Sequence, residues 1–419
     1  MEKLKNLTAG VDRLFIENKR FNTTLISVNF YLPLTKRGLS LYAILSGVMS
    51  SVSKNYPSFS ELNLRQKELY STIVGASSAK QGDRQLVKFY ASFLNNDLVL
   101  EDIYTPVSEL LLELIFNPLI ENKAFLKGDV AREKRLITEK LKSLVNEKRA
   151  YIIDKTTATM FSGTPYATNR YGDILDIETI TESEIYDAYL EMLKSAYIRI
   201  QVTGKEYNGE FDEAFLKAIA PFRKEDIAPL CENTAKKHQK LIEATEKAPI
   251  KQAKLCMGFT MEKTGDIPAS SVCVDILGGG PYSLLFTNVR EKLSLCYYCA
   301  ARLTKNKGLL MIDSGVEAKN IEKAKAQILI ELEKLQKGDF SEELISTSKR
   351  AILESLKANN DSDIVLDNWY SLRSVSDLYS PEEYANRVSA VTKEEIMAVA
   401  NSFKLDTVFA LLPEENDEN

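Results

Sequence analysis

The chain holds one histidine in 419 residues, and that scarcity excludes more chemistry than any motif admits. A His₃ or His₂Glu zinc site cannot be assembled from a single imidazole. A Ser-His or Cys-His pair has only His238 to draw on. His238 stands in the lysine-rich run 235–240, where neighbouring cations disfavour both protonation and a metal cation. It reads as a solvated linker side chain. The five cysteines (Cys231, Cys256, Cys273, Cys296, Cys299) are odd in number and late in the chain, so they are no disulfide framework. Cys296 and Cys299 have C-x-x-C spacing. Their tyrosine-rich setting reads as a strand, which sends them to opposite faces as buried, unreactive thiols. No apolar run is long enough to span a bilayer, and the N-terminal stretch MEKLKNLTAGVDRLFIENKRF lacks the uninterrupted apolar core of a signal peptide. The net charge of −5 is too mild to imply a nucleic-acid partner. A cytoplasmic protein is expected.

What remains is ordinary soluble material. Hydrophobic residues make up 44% and charged residues 27%, enough for a sizeable core. Thr24, Ile26, Val28, Phe30 and Leu32 alternate with Leu25, Ser27, Asn29 and Tyr31, a strand pattern that Pro33 ends. A helix follows over Leu41–Val52. A second starts at the capping box Ser58-x-x-Glu61 and runs to Gly75, a plausible C-terminal stop. Val87, Phe89, Ala91 and Phe93 alternate again. Amphipathic helices occupy Tyr104–Ile115 and Phe125–Asn146. Glu133, Glu139, Glu342 and Glu354 lie on their charged faces or on those of later helices, and read as solvated.

The chain reads as duplicated. Thr181-x-x-Glu184 opens a helix that leads into the apolar strand Tyr197–Val202. Thr392-x-x-Glu395 opens another that leads into Thr407–Leu412, at an offset of 211 (392 − 181). KRLITEKLK (134–142) matches KRAILESLK (349–357) at an offset of 215 (349 − 134). Two matches in the same order at nearly equal offsets indicate an internal repeat. Between the copies, 222–252 is dense in Lys and Glu, with Pro229 and Pro249, a linker composition that leaves room for an ordered crossing strand. The expected organisation is α+β: an N-terminal half, 1–221, a linker, 222–252, and a C-terminal half, 253–419. Each half is a mostly antiparallel sheet covered by long helices.

Chemistry concentrates in Gly278–Tyr298. Gly278, Gly279 and Gly280 precede Pro281-Tyr282-Ser283 rather than Gly-Lys-Ser/Thr, so this is no phosphate-binding P-loop. A tight turn that lets Ser283 cap the next helix is the simpler reading. That helix carries Arg290, and Tyr297 follows seven positions on. Taken alone, the pair reads as an exposed charge and a partly buried ring. Delivered together, a guanidinium and a phenol can steady a developing oxyanion.

LGGGPYSLLFTNVREKLSLCYY (277–298) closely resembles the C-terminal-half signature of the insulinase/pitrilysin-type metallopeptidases, in the mitochondrial-processing-peptidase-like branch. KGLLMIDSG (307–315) and the duplication agree with it. Within that branch the chain looks most like the bacterial YmfF-like subfamily, which lacks the zinc motif. The resemblance implies a clam-shell of two similar halves. It also implies that Arg290 and Tyr297 contact substrate in trans, with Gly278–Gly280 as a substrate loop. The departure is in the first half. Active members carry H-x-x-E-H on a helix, two zinc ligands and a glutamate that activates water. The corresponding helix, near 41–50, has neither histidine nor glutamate. Glu139 falls near the place of the family's third ligand, and one carboxylate alone holds no zinc. The expected role is a non-catalytic subunit that binds peptide and no cofactor of its own. Its partner would be a same-fold H-x-x-E-H subunit holding the zinc, and isolated chain can form a homodimer. The alternative is a purely structural or peptide-binding scaffold with no part in proteolysis.

Overall fold

In the computed structural model, the described residues are 2–223, 227, 235, 237–261, 267–358, 361–372 and 379–414. The first half contributes β1 (Glu2–Thr8), β2 (Val11–Glu17), β3 (Thr23–Pro33), α1 (Lys36–Met49), α2 (Phe59–Glu68), β4 (Ile73–Gln81) and β5 (Arg84–Leu94). It continues with α3 (Tyr104–Phe116), the short pair β6 (Ile120–Glu121) and β7 (Ala124–Phe125), α4 (Lys127–Ser143), α5 (Lys148–Met160), α6 (Ile174–Thr179), α7 (Glu182–Ser195), β8 (Tyr197–Gly204) and α8 (Glu210–Ile219). The second half has β9 (Ile242–Ala248), β10 (Ala253–Met261), α9 (Ile267–Gly278), a π-helix (Leu285–Lys292), β11 (Cys296–Thr304) and β12 (Leu309–Val316). It ends with α10 (Ile321–Lys337), α11 (Glu342–Ala358), α12 (Asp363–Ser371), α13 (Pro381–Ala390), α14 (Lys393–Ser402) and β13 (Phe403–Pro413).

The duplication is visible in the strand order. One sheet runs β1-β2-β8-β3-β5-β4 and the other β9-β13-β10-β12-β11. In each, the strand that follows a Thr-capped helix pairs in parallel with one neighbour, β8 with β2 and β13 with β9, while the other neighbours are antiparallel. Thr181 and Thr392 both close complete capping boxes, with Glu184 and Glu395 accepting from the cap backbone amides. β9 lies inside the stretch read as linker and is an ordered strand.

The alternation in β3 sends Ile26, Val28 and Phe30 into one core with Val87, Phe89, Ile198, Ile200 and Val202, beneath helices that include α1, α3 and α7. A sheet with one apolar face must cover it in this way. Two features differ from the sequence reading. α2 ends at Glu68, not Gly75, because Tyr70 and Ser71 turn into the left-handed region at φ 55° and 60°. Gly75 then sits inside β4, an edge strand whose GASSAK run (75–80) is poor in the β-branched residues that mark strands.

The chain forms two compact units that exchange segments. One comprises Met1–Lys142, Thr168–Cys231 and Asn359–Leu378, the other Ser143–Ala167, Glu232–Ala358 and Tyr379–Asn419. α12 therefore packs with β3 and β8 in the first unit, and α5 with β10 and β13 in the second. β10 and β13 are the repeat equivalents of β3 and β8, so the exchange is reciprocal. α12 is anchored by buried polar groups. Asp367 accepts from Ser27 Oγ (2.7 Å) and Gln201 Nε2 (2.9 Å) and pairs with Lys88, which also donates to Asn368 Oδ1 (2.8 Å) and Ser371 Oγ (3.0 Å). α5 lies over β10, where a Cβ on Gly258 would come 3.0 Å from Met160 Sδ. Arg149 pairs with the fully buried Asp313 (2.5 Å).

Candidate functional site

In the first unit, α1 and α4 form the wall of a cavity of about 520 Å³, with the edge residues Ala76–Ala79 of β4 opposite. Thr35 caps α1 by accepting from the Gly38 amide (3.0 Å), and Ser46 returns its hydroxyl to the Tyr42 carbonyl (2.7 Å). The residues that α1 offers to the cavity are Ala43, Ser46 and Gly47; α4 offers Glu133, Leu136, Ile137 and Lys140. Gly47 and Glu133 face each other so closely that a Cβ on Gly47 would stand 2.2 Å from Glu133 Oε2. Glu133 is 8% exposed and pairs with Arg132 Nε at 3.0 Å.

This corrects the reading of Glu133 as solvated: it is the carboxylate that points at the helix where the metal motif would stand. Glu139 is on the surface, paired with Arg135 (3.0 Å), and Glu342 and Glu354 are exposed as expected. A zinc ion does not fit. Its usual donors are imidazole, thiolate and carboxylate, and beside Glu133 the helix offers a methyl, a hydroxyl committed to Tyr42 and a glycine. Among the described residues no three His, Cys, Asp or Glu side chains group closely enough to hold a metal.

In the second unit, α9 ends at Gly278, which approaches β11 so closely that a Cβ would lie 2.5 Å from the Ala301 amide nitrogen. Only glycine fits there. Gly279 and Gly280 complete the turn, and Ser283 then accepts from the Phe286 amide (3.4 Å), the cap expected from sequence. The helix that follows is wound as a π-helix, a form that is rare and often found at functional sites. Leu293 N reaches back five residues to Asn288 O (3.2 Å). Asn288 Nδ2 ties the helix to the fully buried Glu331 of α10 (2.6 Å). Arg290 emerges half-exposed, its guanidinium 4.4 Å over the Phe286 ring and 3.5 Å from Glu291.

The chain then turns through Ser294 at φ 50° into β11, an edge strand. Its pairing with β12 slips at once: Cys296 faces Val316 and Tyr298 faces Gly315, so Tyr297 is an extra residue in the ladder. Such a bulge re-aims side chains. Tyr297 is 62% exposed and lines a cavity of about 340 Å³ with Arg290, Glu291, Ser294, Leu295, Cys296 and Glu317. The structure thus brings the two sequence-predicted residues to one rim. Tyr298 is turned elsewhere. It stacks under Arg149 (4.5 Å) and Lys254 (5.3 Å), and burial raises its phenol pKa.

The bulge also overturns the reading of Cys296 and Cys299. One extra residue restores their parity, and the two lie on the same face, opposite Val316 and Ser314. Cys256 and Cys273 are fully buried, and burial pushes both thiols up to about 12; Cys231 lies outside the described residues. His238 is not simply solvated either. Its Nδ1 is 3.0 Å from the buried Asp406, which also accepts from the His238 amide (2.7 Å). A lysine-rich local sequence gives no hint of a partner 168 residues away.

Two repeated α/β units, one cavity whose metal donors are reduced to Glu133 and one rim carrying Arg and Tyr fit a peptidase-type scaffold with no metal centre among the described residues. Comparison with known proteins agrees. Residues 179–352 match the family model "Peptidase M16 inactive domain". The chain is 30% identical over 421 aligned positions to "Probable inactive metalloprotease YmfF" of Bacillus subtilis (strain 168), covering 98% of each. A conserved protein from Enterococcus faecalis V583 superposes with a TM-score of 0.89 at 27% identity, over 99% of this chain and all of that one. A peptidase M16 inactive domain from Pseudomonas fluorescens superposes at 0.78 and 17% identity, over 99% and 98%. The chain belongs to the M16 peptidase family, the insulinase/pitrilysin-type metallopeptidases, as an inactive homologue. No described helix is long and apolar enough to cross a membrane.

Proposed function

We propose that the chain is the non-catalytic subunit of a heterodimeric zinc peptidase of the cytoplasm. The partner has the same fold and keeps H-x-x-E-H, so the zinc and the activated water are the partner's. This chain binds the peptide as an added strand on a sheet edge, a common mode for extended peptides. Through Arg290 and Tyr297 it donates hydrogen bonds to the carbonyl as that becomes an oxyanion. The Gly278–Gly280 turn sets the start of that substrate-facing segment.

One observation carries the reading. The π-helix and the bulge deliver a guanidinium and an exposed phenol to a single cavity rim, in a chain whose other cavity offers no metal donor set. A pure scaffold has no need of that delivery. The test is affinity purification of the tagged full chain from its native cell. A same-size H-x-x-E-H protein in stoichiometric amount is the expected companion, and its absence overturns the heterodimer. Purified alone, the chain should bind no stoichiometric zinc and cleave nothing; chelator-sensitive proteolysis by the isolated chain refutes the non-catalytic assignment.

A further inference from the structure

Cys296 and Cys299 meet because Tyr297 is skipped in the ladder. The two share one face of β11, opposite Val316 and Ser314, and Arg290 lines the same cavity as Cys296. Cys296 is 8% exposed, but it opens onto the 340 Å³ cavity that Arg290, Tyr297 and Glu317 line. Cys256 and Cys273 are fully buried and line no cavity described above. We propose that Cys296 is a modification site, the thiol among the four described cysteines that small peroxides oxidise first, with Cys299 beside it on the same strand face as the resolving thiol.

The environment follows the usual rule for reactive cysteines, a cation and access through a cavity. The neighbouring Cys299 thiol, against the opposing effect of burial, draws the Cys296 thiol down, while Cys299 is raised. The step is balanced as follows. The Cys296 sulfur attacks one oxygen of hydrogen peroxide, the S–O bond forms as the O–O bond breaks, and sulfur gives up two electrons. The departing hydroxide takes the proton released by the thiol and leaves as water. The product is a sulfenic acid, the first and reversible rung of cysteine oxidation. Attack on it by Cys299 would form an S–S bond and release a second water. This inference does not depend on the chain having a peptidase partner.

The experiment treats the native full chain with dilute hydrogen peroxide in the presence of dimedone and maps the products by peptide mass spectrometry. Cys296 should appear as the dimedone adduct or as a disulfide to Cys299, at least about tenfold ahead of Cys256 and Cys273. Cys299→Ala should abolish the disulfide and leave Cys296 as the dimedone adduct, while the far-ultraviolet circular dichroism is unchanged. Labelling of Cys256 or Cys273 as fast as Cys296, or an untouched Cys296 in the native wild type, overturns the proposal.

Discussion

The two units repeat one plan, and equivalent positions have been filled with opposite chemistry. In the first, Glu133 of α4 packs against Gly47 of α1 in the lining of an open cavity. At the same 215-residue offset, α11 places Ser348 (133 + 215), which donates to Asp275 of α9 (2.5 Å), and Tyr282 donates to the same carboxyl (2.7 Å). There two hydroxyls hold the carboxylate, whereas Glu133 is held by Arg132. The edge strands differ in the same spirit. β4 pairs in unbroken register with β5, whereas β11 bulges at Tyr297. The exchanged helices differ too: α12 is held by a buried charge pair, α5 by a bridge whose arginine is 43% exposed. A duplicated scaffold keeps its backbone plan because the sheet and the helix caps set it. Single side chains and one extra residue then decide where chemistry can occur.

The exchanged helices offer the strongest way to break this comparison. Asp367→Ala removes the partner of a nearly buried lysine and should cost about 3–5 kcal/mol. Arg149→Ala should cost about 1 kcal/mol, since Arg149 is partly solvated and Arg302 remains 3.7 Å from Asp313. Urea denaturation of both variants measures this. Equal losses would mean that the two anchors are the same in kind.

Next in size is the pair Gly47 and Glu133. Gly47→Ala adds helix propensity worth about 0.5–1 kcal/mol, but its methyl meets Glu133. The gain should therefore appear only when Glu133→Ala is also present, with a coupling of about 1 kcal/mol in the double-mutant cycle. Additive effects would show that Glu133 does not occupy the space that Gly47 leaves.

The smallest effect concerns the caps. Glu184 is held below its ordinary value of 4.5, first by the Thr181 amide and then by Arg37. A depressed carboxylate contributes stability above its unfolded value and loses it as pH falls through the folded one. The thermal midpoint of the wild type should thus exceed that of Glu184→Gln at pH 7, and the gap should close as the pH drops below 4.5. A gap that widens in acid would reverse the sign.

Much of the architecture was legible in sequence because it rests on local rules. The period-2 pattern from Thr24 to Leu32, the paired capping boxes and the repeat all need only near neighbours. The parts that were not legible depend on partners far along the chain. Glu133 reads as solvated until α1 is placed against it. β4 has too few β-branched residues to declare itself, and only its pairing with β5 makes it a strand. The bulge at Tyr297 leaves no compositional mark, yet it decides the exposure of Tyr297 and brings Cys296 and Cys299 together. Arg290 and Tyr297 were singled out by their spacing within a known signature, and the structure brings them to one cavity rim.

The most direct test of the central claim is turnover of a fluorogenic peptide by the reconstituted pair, this chain with the proposed H-x-x-E-H partner, comparing wild type with Tyr297→Phe. Loss of one oxyanion donor should lower kcat about 100-fold with KM little changed. An unchanged kcat would contradict the assignment and leave the chain as a scaffold.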